Sequence, residues 1–276
     1  MRNVCLAGKQ RLTSYRKIAI ASWNHPRDPQ TYASIDLSCE AAEKFIYEYP
    51  SDENISLTHF VVKILGHCFA KYPQFNHILR LNRLYERTQV NVFVTTLIRG
   101  EKGKDLSGFL VKDAAEQNLE EIARSCGNSI QELRSGEHPE MGRVQRMVDS
   151  LPVWLVRWML YGQDFLQNTL NWDLRWLGVP CDPFGSVMLS NIGALGLESA
   201  HIPLSPYSRC PVMIGMGKPR EVPVVREGEV VPGKLMRITF TFDHRHADGA
   251  HGAMVLRRFQ KLFENPDGFR QVFEAS

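Results

Sequence analysis

Beyond Pro183 the chain changes its pattern, and that change limits the folds open to it. "GSVMLSNIG", "PVMIGMG", "EVPVVREGEVVPG" and "LMRITFTFDH" are short apolar or alternating runs separated by Gly and Pro. Period-two alternation bounded by such residues reads as strands, with "REGE" as a hairpin turn. A helix follows at once. In "GAHGAMVLRRFQKLFENP" the residues Val255, Phe259 and Leu262 form one apolar stripe, and Pro266 stops it.

Ahead of Pro183 strands and helices mix. "SYRKIAIASW" reads as a short element near the start, and "TYASIDLS" as a strand. "SCEAAEKFIYEYP" has helical spacing and an acidic first turn, with Ser38 in the N-cap place. "SLTHFVVKILGHCFAKYP" is a stronger helix, because Phe60, Ile64 and Cys68 recur every fourth residue and Pro73 follows its end. "QVNVFVTTLIRG" and "LSGFLVKDA" read as strands. "NLEEIARSCGNSIQELRSG" reads as an amphipathic helix ending at Gly136. Residues 143–183 have helical spacing and hold Trp154, Trp158, Trp172 and Trp176, four of the five tryptophans. The mixed order predicts an α/β (α+β) fold, and 276 residues suffice for one domain with a sizeable core.

Composition removes several function classes. Net charge is only +3 and no long basic run occurs, which argues against a nucleic-acid partner. Cys5, Cys39, Cys68, Cys126, Cys181 and Cys210 form no C-x-x-C pair, so a zinc ribbon or redox dithiol has no support. Scattered single thiols suit a reducing compartment, and the chain is expected to be cytoplasmic. No run approaches the roughly 20 apolar residues of a membrane span.

The densest chemistry lies in "TFDHRHADGAH", where a strand hands over to a helix. His244, His246 and Asp248 read H-x-H-x-D, a spacing that could place two imidazoles on one ion. Few ligands remain downstream to complete such a site, so no bound metal is expected. A second reading makes Asp248 a cap on the helix that follows. In a third, His244, Asp248 and Gly249 form H-x-x-x-D-G with His244 as a base.

Several ordered stretches carry a family resemblance. "ITFTFDHRHADGA" resembles the active-site signature of the acyltransferase component of 2-oxoacid dehydrogenase complexes, a family that includes chloramphenicol acetyltransferase. "GSVMLSNIGALG" resembles that family's strand-end segment, and its Ser190 precedes His244 by 54 residues. "PVMIGMGKPREVPVVREGEVVPGKLMRITFTFDHR" is similar to the strand, hairpin and final strand of the family. "ISLTHFVVKILGHCFAKYPQFN" resembles its first long helix. "VNVFVTTLIRG" through "LEEIARSC" resembles its central strand–helix unit, and "SYRKIAIASW" its opening segment. The resemblance runs over roughly residues 12–270, leaving out 143–183.

It implies a chloramphenicol acetyltransferase-like mixed sheet flanked by helices, assembled as a homotrimer. The active site would lie in a channel between subunits, with the histidine from one and the serine from the next. The implied activity moves an acyl group between coenzyme A thioester and a thiol, hydroxyl or amine acceptor. His244 would be the base and the Ser190 hydroxyl the oxyanion donor. Asp248 would hold the loop through an ion pair with Arg16, and Gly249 would allow the turn. His246 and His251 receive no role. Coenzyme A enters as substrate. A lipoyl group would reside on another chain, because no lipoyl or subunit-binding domain is read in residues 1–276. Residues 143–183 then form a Trp-rich helical insertion in a single catalytic domain. They would pack around the trimer, cover the channel and an apolar acyl chain, or touch a membrane surface. Two rivals stand beside this reading: a non-catalytic scaffold of the same fold, and the catalytic core of a dehydrogenase complex served by a separate lipoyl carrier.

Overall fold

A computed structural model of the chain describes residues 3–9, 29–100, 103–135, 151–205 and 208–274. The alternating runs become strands β2 (Gln30–Ser38), β5 (Val92–Gly100), β6 (Gly103–Val111), β7 (Val187–Asn191), β8 (Val212–Met216), β9 (Arg220–Arg226) and β10 (Glu229–Asp243). "SYRKIAIASW" lies outside the described residues. The sheet runs β2-β10-β8-β7-β5-β6. β5, β7 and β8 are parallel neighbours, and β2, β10 and β6 pair antiparallel. The expected hairpin joins β9 to β10, turning at Glu227 (φ 51°) and Gly228 (φ 89°). Positive φ at both central residues matches the twist of the strands it connects. β10 is one strand of 15 residues that continues through Pro232 and Gly233, where the sequence pattern reads a break.

Helices cover one face of the sheet. They are α1 (Glu40–Glu48), α2 (Leu57–Lys71), α3 (Leu119–Ser135), α5 (Gly249–Glu264) and the short α6 (Arg270–Glu274), with α4 (Val153–Asp164) between α3 and α5 in the chain. The start of α2 is locked by a capping box: the Ser56 hydroxyl accepts from the His59 amide, and His59 Nδ1 accepts from the Ser56 amide. Phe60, Ile64 and Cys68 of α2 are all fully buried, as their four-residue spacing predicts. Phe60 stacks on Phe273 at 4.7 Å between ring centroids and also meets Phe45 and Phe263, so one ring ties α1, α2, α5 and α6 together. The cap of α1 differs from expectation. Cys39 takes the N-cap place without a side-chain bond, because Ser38 remains in β2 and its amide donates to the Glu264 carboxylate at 3.0 Å.

The sheet's other face is thinner, with Met188, Cys210 and Met213 packed by Phe93, Phe184 and Ile202. A second sheet, β1 (Leu6–Lys9) with β4 (Arg83–Arg87) and β3 (His77–Arg80), escapes the pattern reading. Its hairpin turns at Leu81 (φ 47°) and Asn82 (φ 58°), and a leucine in the left-handed region gives no turn signal. Within 151–183 the helical spacing holds: α4 continues into a π-turn at Phe165–Thr169, and a short 3-10 turn spans Arg175–Leu177. Among the described residues no helix is long and apolar enough to cross a membrane.

Candidate active site

The residues singled out from the sequence fall into two groups at opposite ends of the main sheet. Ser190 is at the finishing end of β7. Its register partner on β8 is Gly215, and Gly215 pairs with Thr239 of β10. His244 comes five residues after Thr239, just past the end of β10. At about 3.3 Å per residue and about 4.8 Å per strand, Ser190 and His244 of one chain are roughly 20 Å apart.

The Ser190 end holds a cavity of about 310 Å³. Thr58 and His59 at the start of α2 line it, with Val94, Phe109, Ile130 and Leu195. Thr95, the register partner of Ser190 on β5, donates its hydroxyl to Ser190 Oγ at 2.8 Å. With its oxygen accepting there, the serine has its own proton to donate elsewhere. Asn191 fixes the turn that follows: its carbonyl accepts from the Ala194 amide, and its Nδ2 donates to Thr58 Oγ1 at 3.1 Å. A Cβ on Gly193 would meet the Gly217 and Lys218 backbone at 2.8–2.9 Å, so this turn packs against the end of β8 only with glycine there. Burial pushes His59 below the ordinary imidazole range. Among the described residues no Asp, Glu, Lys or Arg lines the cavity, which is a largely apolar slot with a hydroxyl at its wall.

The His244 end is a tight polar turn. The His244 amide donates to the Pro29 carbonyl, and the Asp243 amide to the Pro211 carbonyl, both at 2.9 Å. Arg245 turns back onto the Asp243 carboxylate with its amide at 2.9 Å, Nε at 3.0 Å and Nη2 at 2.7 Å. Burial alone pushes the Asp243 carboxyl up. The neighbouring His246, and then the Arg245 guanidinium and amide, outweigh it and hold the group below the usual carboxylate range. This clamp spans His244 and fixes the path of the backbone that carries it.

His246 is buried against the clamp, with Nε2 4.0 Å from Asp243. Burial pushes it down to about 3, so it is neutral near pH 7. Asp248 is the N-cap of α5: Oδ1 accepts from the His251 amide at 3.1 Å and meets His251 Nδ1 at 2.6 Å. The capping reading of Asp248 therefore holds, and His251 becomes its immediate partner. Arg16 lies outside the described residues. Gly249 opens α5 without a left-handed φ, and among the described residues a Cβ there would meet nothing within 4 Å. His244, His246 and Asp248 do not converge. Among the described residues no group of three or more His, Cys, Asp or Glu could hold a metal ion.

Sequence reading missed Thr95 and Asn191. A threonine in an alternating strand gains meaning only from its register partner, which the pattern alone does not reveal. Arg87 was missed in the same way. It is buried below the His244 end, pairs with Asp182 at 3.0 Å and donates to the His77 carbonyl at 2.8 Å.

Residues 184–270 match the family model of the 2-oxoacid dehydrogenases acyltransferase (catalytic domain). That span contains Ser190, His244 and Asp248. The dihydrolipoyllysine-residue acetyltransferase component of the pyruvate dehydrogenase complex from Rhizobium meliloti is 36% identical over 84 residues, 30% of this chain and 18% of that protein. The matched stretch thus spans under a fifth of the relative's length. Two solved structures share the fold. A probable dihydrolipoamide acetyltransferase from Listeria monocytogenes superposes with TM-score 0.62 at 14% identity, over 93% of this chain and 94% of that one. The dihydrolipoamide acetyltransferase of Azotobacter vinelandii, in whose catalytic mechanism the roles of a serine, a histidine and an asparagine were investigated, gives 0.63 at 14% identity over 96% and 95%. In fold over its described length, and in sequence over residues 184–270, the chain resembles this acyltransferase family.

Proposed function

We infer that this chain is an acyltransferase of the 2-oxoacid dehydrogenase family, moving an acyl group between coenzyme A thioester and a thiol acceptor. The observation that carries the inference is the pair of half-sites built around Ser190 and His244, both in the matched span. A hydroxyl-bearing apolar cavity sits at one end of the sheet, and a histidine in a clamped turn sits at the other.

A thiol of pKa about 8.5 is only a few per cent ionised at pH 7, so transfer benefits from a base. His244 takes the S–H proton of the acceptor as its sulfur attacks the thioester carbonyl carbon. The C=O electron pair moves onto oxygen, and the Ser190 O–H donates to that oxyanion. Collapse re-forms the carbonyl and breaks the bond to the coenzyme A sulfur, which recovers the proton from His244. Thr95 keeps the Ser190 proton pointed at the reacting oxygen. Asp248 caps the helix behind the base and transfers no proton. The ion pair of Asp248 with Arg16, and a place for Gly249 at the turn, belong to this reading.

One chain separates His244 from Ser190 by roughly 20 Å, judged from sheet register. A reacting carbonyl cannot meet both, so the working site needs His244 of one copy and Ser190 of another. The homotrimer implied by the family resemblance meets that need. The acceptor is most simply a dihydrolipoyl thiol carried by a partner protein, as befits relatives that are components of dehydrogenase complexes. A scaffold without chemistry would have no use for Thr95 aimed at Ser190.

The test is thiol release from a panel of acyl-coenzyme A donors with dihydrolipoamide and other acceptors, for the wild type and His244→Ala. Turnover that disappears in the variant while assembly persists supports the reading. Equal turnover in both rejects His244 as the base. No turnover and no acyl-coenzyme A binding by the wild type favours the scaffold.

A further inference from the structure

We propose that the aromatic surface of α4 and the turns after it is the seat of a second copy of this chain, the copy whose Ser190 completes the site at His244. The proposal rests on the two-copy site described above and adds where the second copy sits. Trp154, Trp158, Tyr161 and Phe165 follow one another at four, three and four residues, a stripe along one helix face. A stripe with that spacing ordinarily faces a core. Here it faces outward, with exposures of 63%, 68%, 61% and 54%. Trp172 and Trp176 add 55% and 79%. At roughly 200 Å² per ring, these six side chains present on the order of 700–800 Å² of aromatic surface. The largest apolar patch of an ordinary monomer is about 300–600 Å². A standard interface removes about 800 Å² from each partner.

The C-terminal end of this surface is anchored beside the His244 end. Asp164 at the end of α4 accepts from Arg209 Nε at 2.7 Å. Arg209 leads through Cys210 to Pro211, whose carbonyl accepts the Asp243 amide. Gln167 is buried and donates to the Pro180 carbonyl at 2.6 Å, and the Asn3 side chain donates to the Gln167 carbonyl at 3.0 Å. The C-terminal end of α4 and the turn after it are therefore tied next to the half-site that another copy must cover. A bilayer fits less well. An interfacial helix pairs its apolar face with a strongly basic one, whereas the charged residues of α4 are Arg157 and the Arg209-bound Asp164.

The experiment compares the full-length wild type with Trp154→Ser/Trp158→Ser by sedimentation velocity, with circular dichroism to check folding. The wild type is expected at a multiple of its 31.5 kDa chain mass. The folded double variant is expected to fall to the single-chain mass, its assembly weakened at least about 100-fold. In the wild type, acrylamide quenching of tryptophan emission should drop several-fold between the dilute and the assembled protein. A folded variant that assembles like the wild type overturns the proposal. So does an assembled wild type whose tryptophans quench as freely as when dilute. Wild-type binding to phosphatidylcholine–phosphatidylglycerol vesicles that the double substitution abolishes, with assembly unchanged, would assign the surface to a membrane instead. Failures are separable by adding the double substitution to Ser190→Ala and His244→Ala chains. Mixtures that regain activity with it refute this surface and leave the two-copy site standing. If assembly depends on the aromatics but mixtures of the Ser190→Ala and His244→Ala chains with their tryptophans intact stay inactive, the two-copy site fails while the surface stands.

Discussion

Two apolar helices, α2 and α4, treat their hydrophobic faces in opposite ways. On α2, Phe60, Ile64 and Cys68 recur every fourth residue and are fully buried against the sheet and three other helices. On α4, Trp154, Trp158 and Tyr161 recur just as regularly and face outward. The start of α2 lines the cavity at Ser190, so that end of the sheet is packed by the chain's own helix. α4 stands beside the His244 end, across the sheet from that cavity. Periodicity reports which face of a helix is apolar. It does not report what covers that face, and among the described residues the two helices differ in this.

The strongest challenge to the contrast comes from truncating each face in turn. Phe60→Ala should cost about 3–5 kcal/mol of folding stability, the price of removing a buried ring. Denaturant unfolding measures it, and a loss below 1 kcal/mol would mean the α2 side is no better packed than the α4 side. Next in size, Ser190→Ala should lower kcat by about 10²–10³ with assembly intact. Thr95→Val should give a smaller loss, about tenfold in kcat at unchanged KM, restored by Thr95→Ser. Steady-state kinetics decides this. A Thr95→Val chain altered only in KM would show that the hydroxyl pair shapes the cavity without orienting the donor.

The His244 end also carries a pH signature. His246 titrates near 3 when folded and near 6.5 when unfolded, because burial disfavours its charged form. The unfolded chain therefore takes up the proton first as pH falls. This contribution is fully present above pH 6.5 and is lost progressively below it, amounting to ~2 kcal/mol by pH 5. Thermal unfolding of the wild type against His246→Gln between pH 8 and 5 should show a flatter profile in the variant; parallel profiles would contradict the burial of this imidazole. Smallest of all, Trp158→Ala should change the stability of the dilute single chain by no more than about 0.5 kcal/mol, the range of an exposed site. A loss as large as that of Phe60→Ala would erase the contrast between the helices.

Much of the architecture was legible because strand alternation and helical stripes are local. The hairpin at Glu227 and Gly228, the stripe of α5 and the cap role weighed for Asp248 all appear as read. The β3–β4 hairpin was not legible, because Leu81 and Asn82 form a left-handed turn without glycine. Ser190, His244 and Asp248 stood out by motif, whereas Thr95 became visible only when β5 paired with β7. The distance between serine and histidine was hidden for the same reason. It is set by the order of β7, β8 and β10, a non-local property that no spacing of 54 residues encodes.

The central claim is that His244 and Ser190 work across two copies, and mixing tests it most directly. His244→Ala and Ser190→Ala chains, each nearly inactive alone, are co-refolded in equal amounts and assayed for acyl transfer. Random assembly pairs an intact histidine with an intact serine at about a quarter of the interfaces, so activity should return to about a quarter of wild type. Mixtures no more active than the separate variants, in a protein shown to co-assemble, would contradict the account.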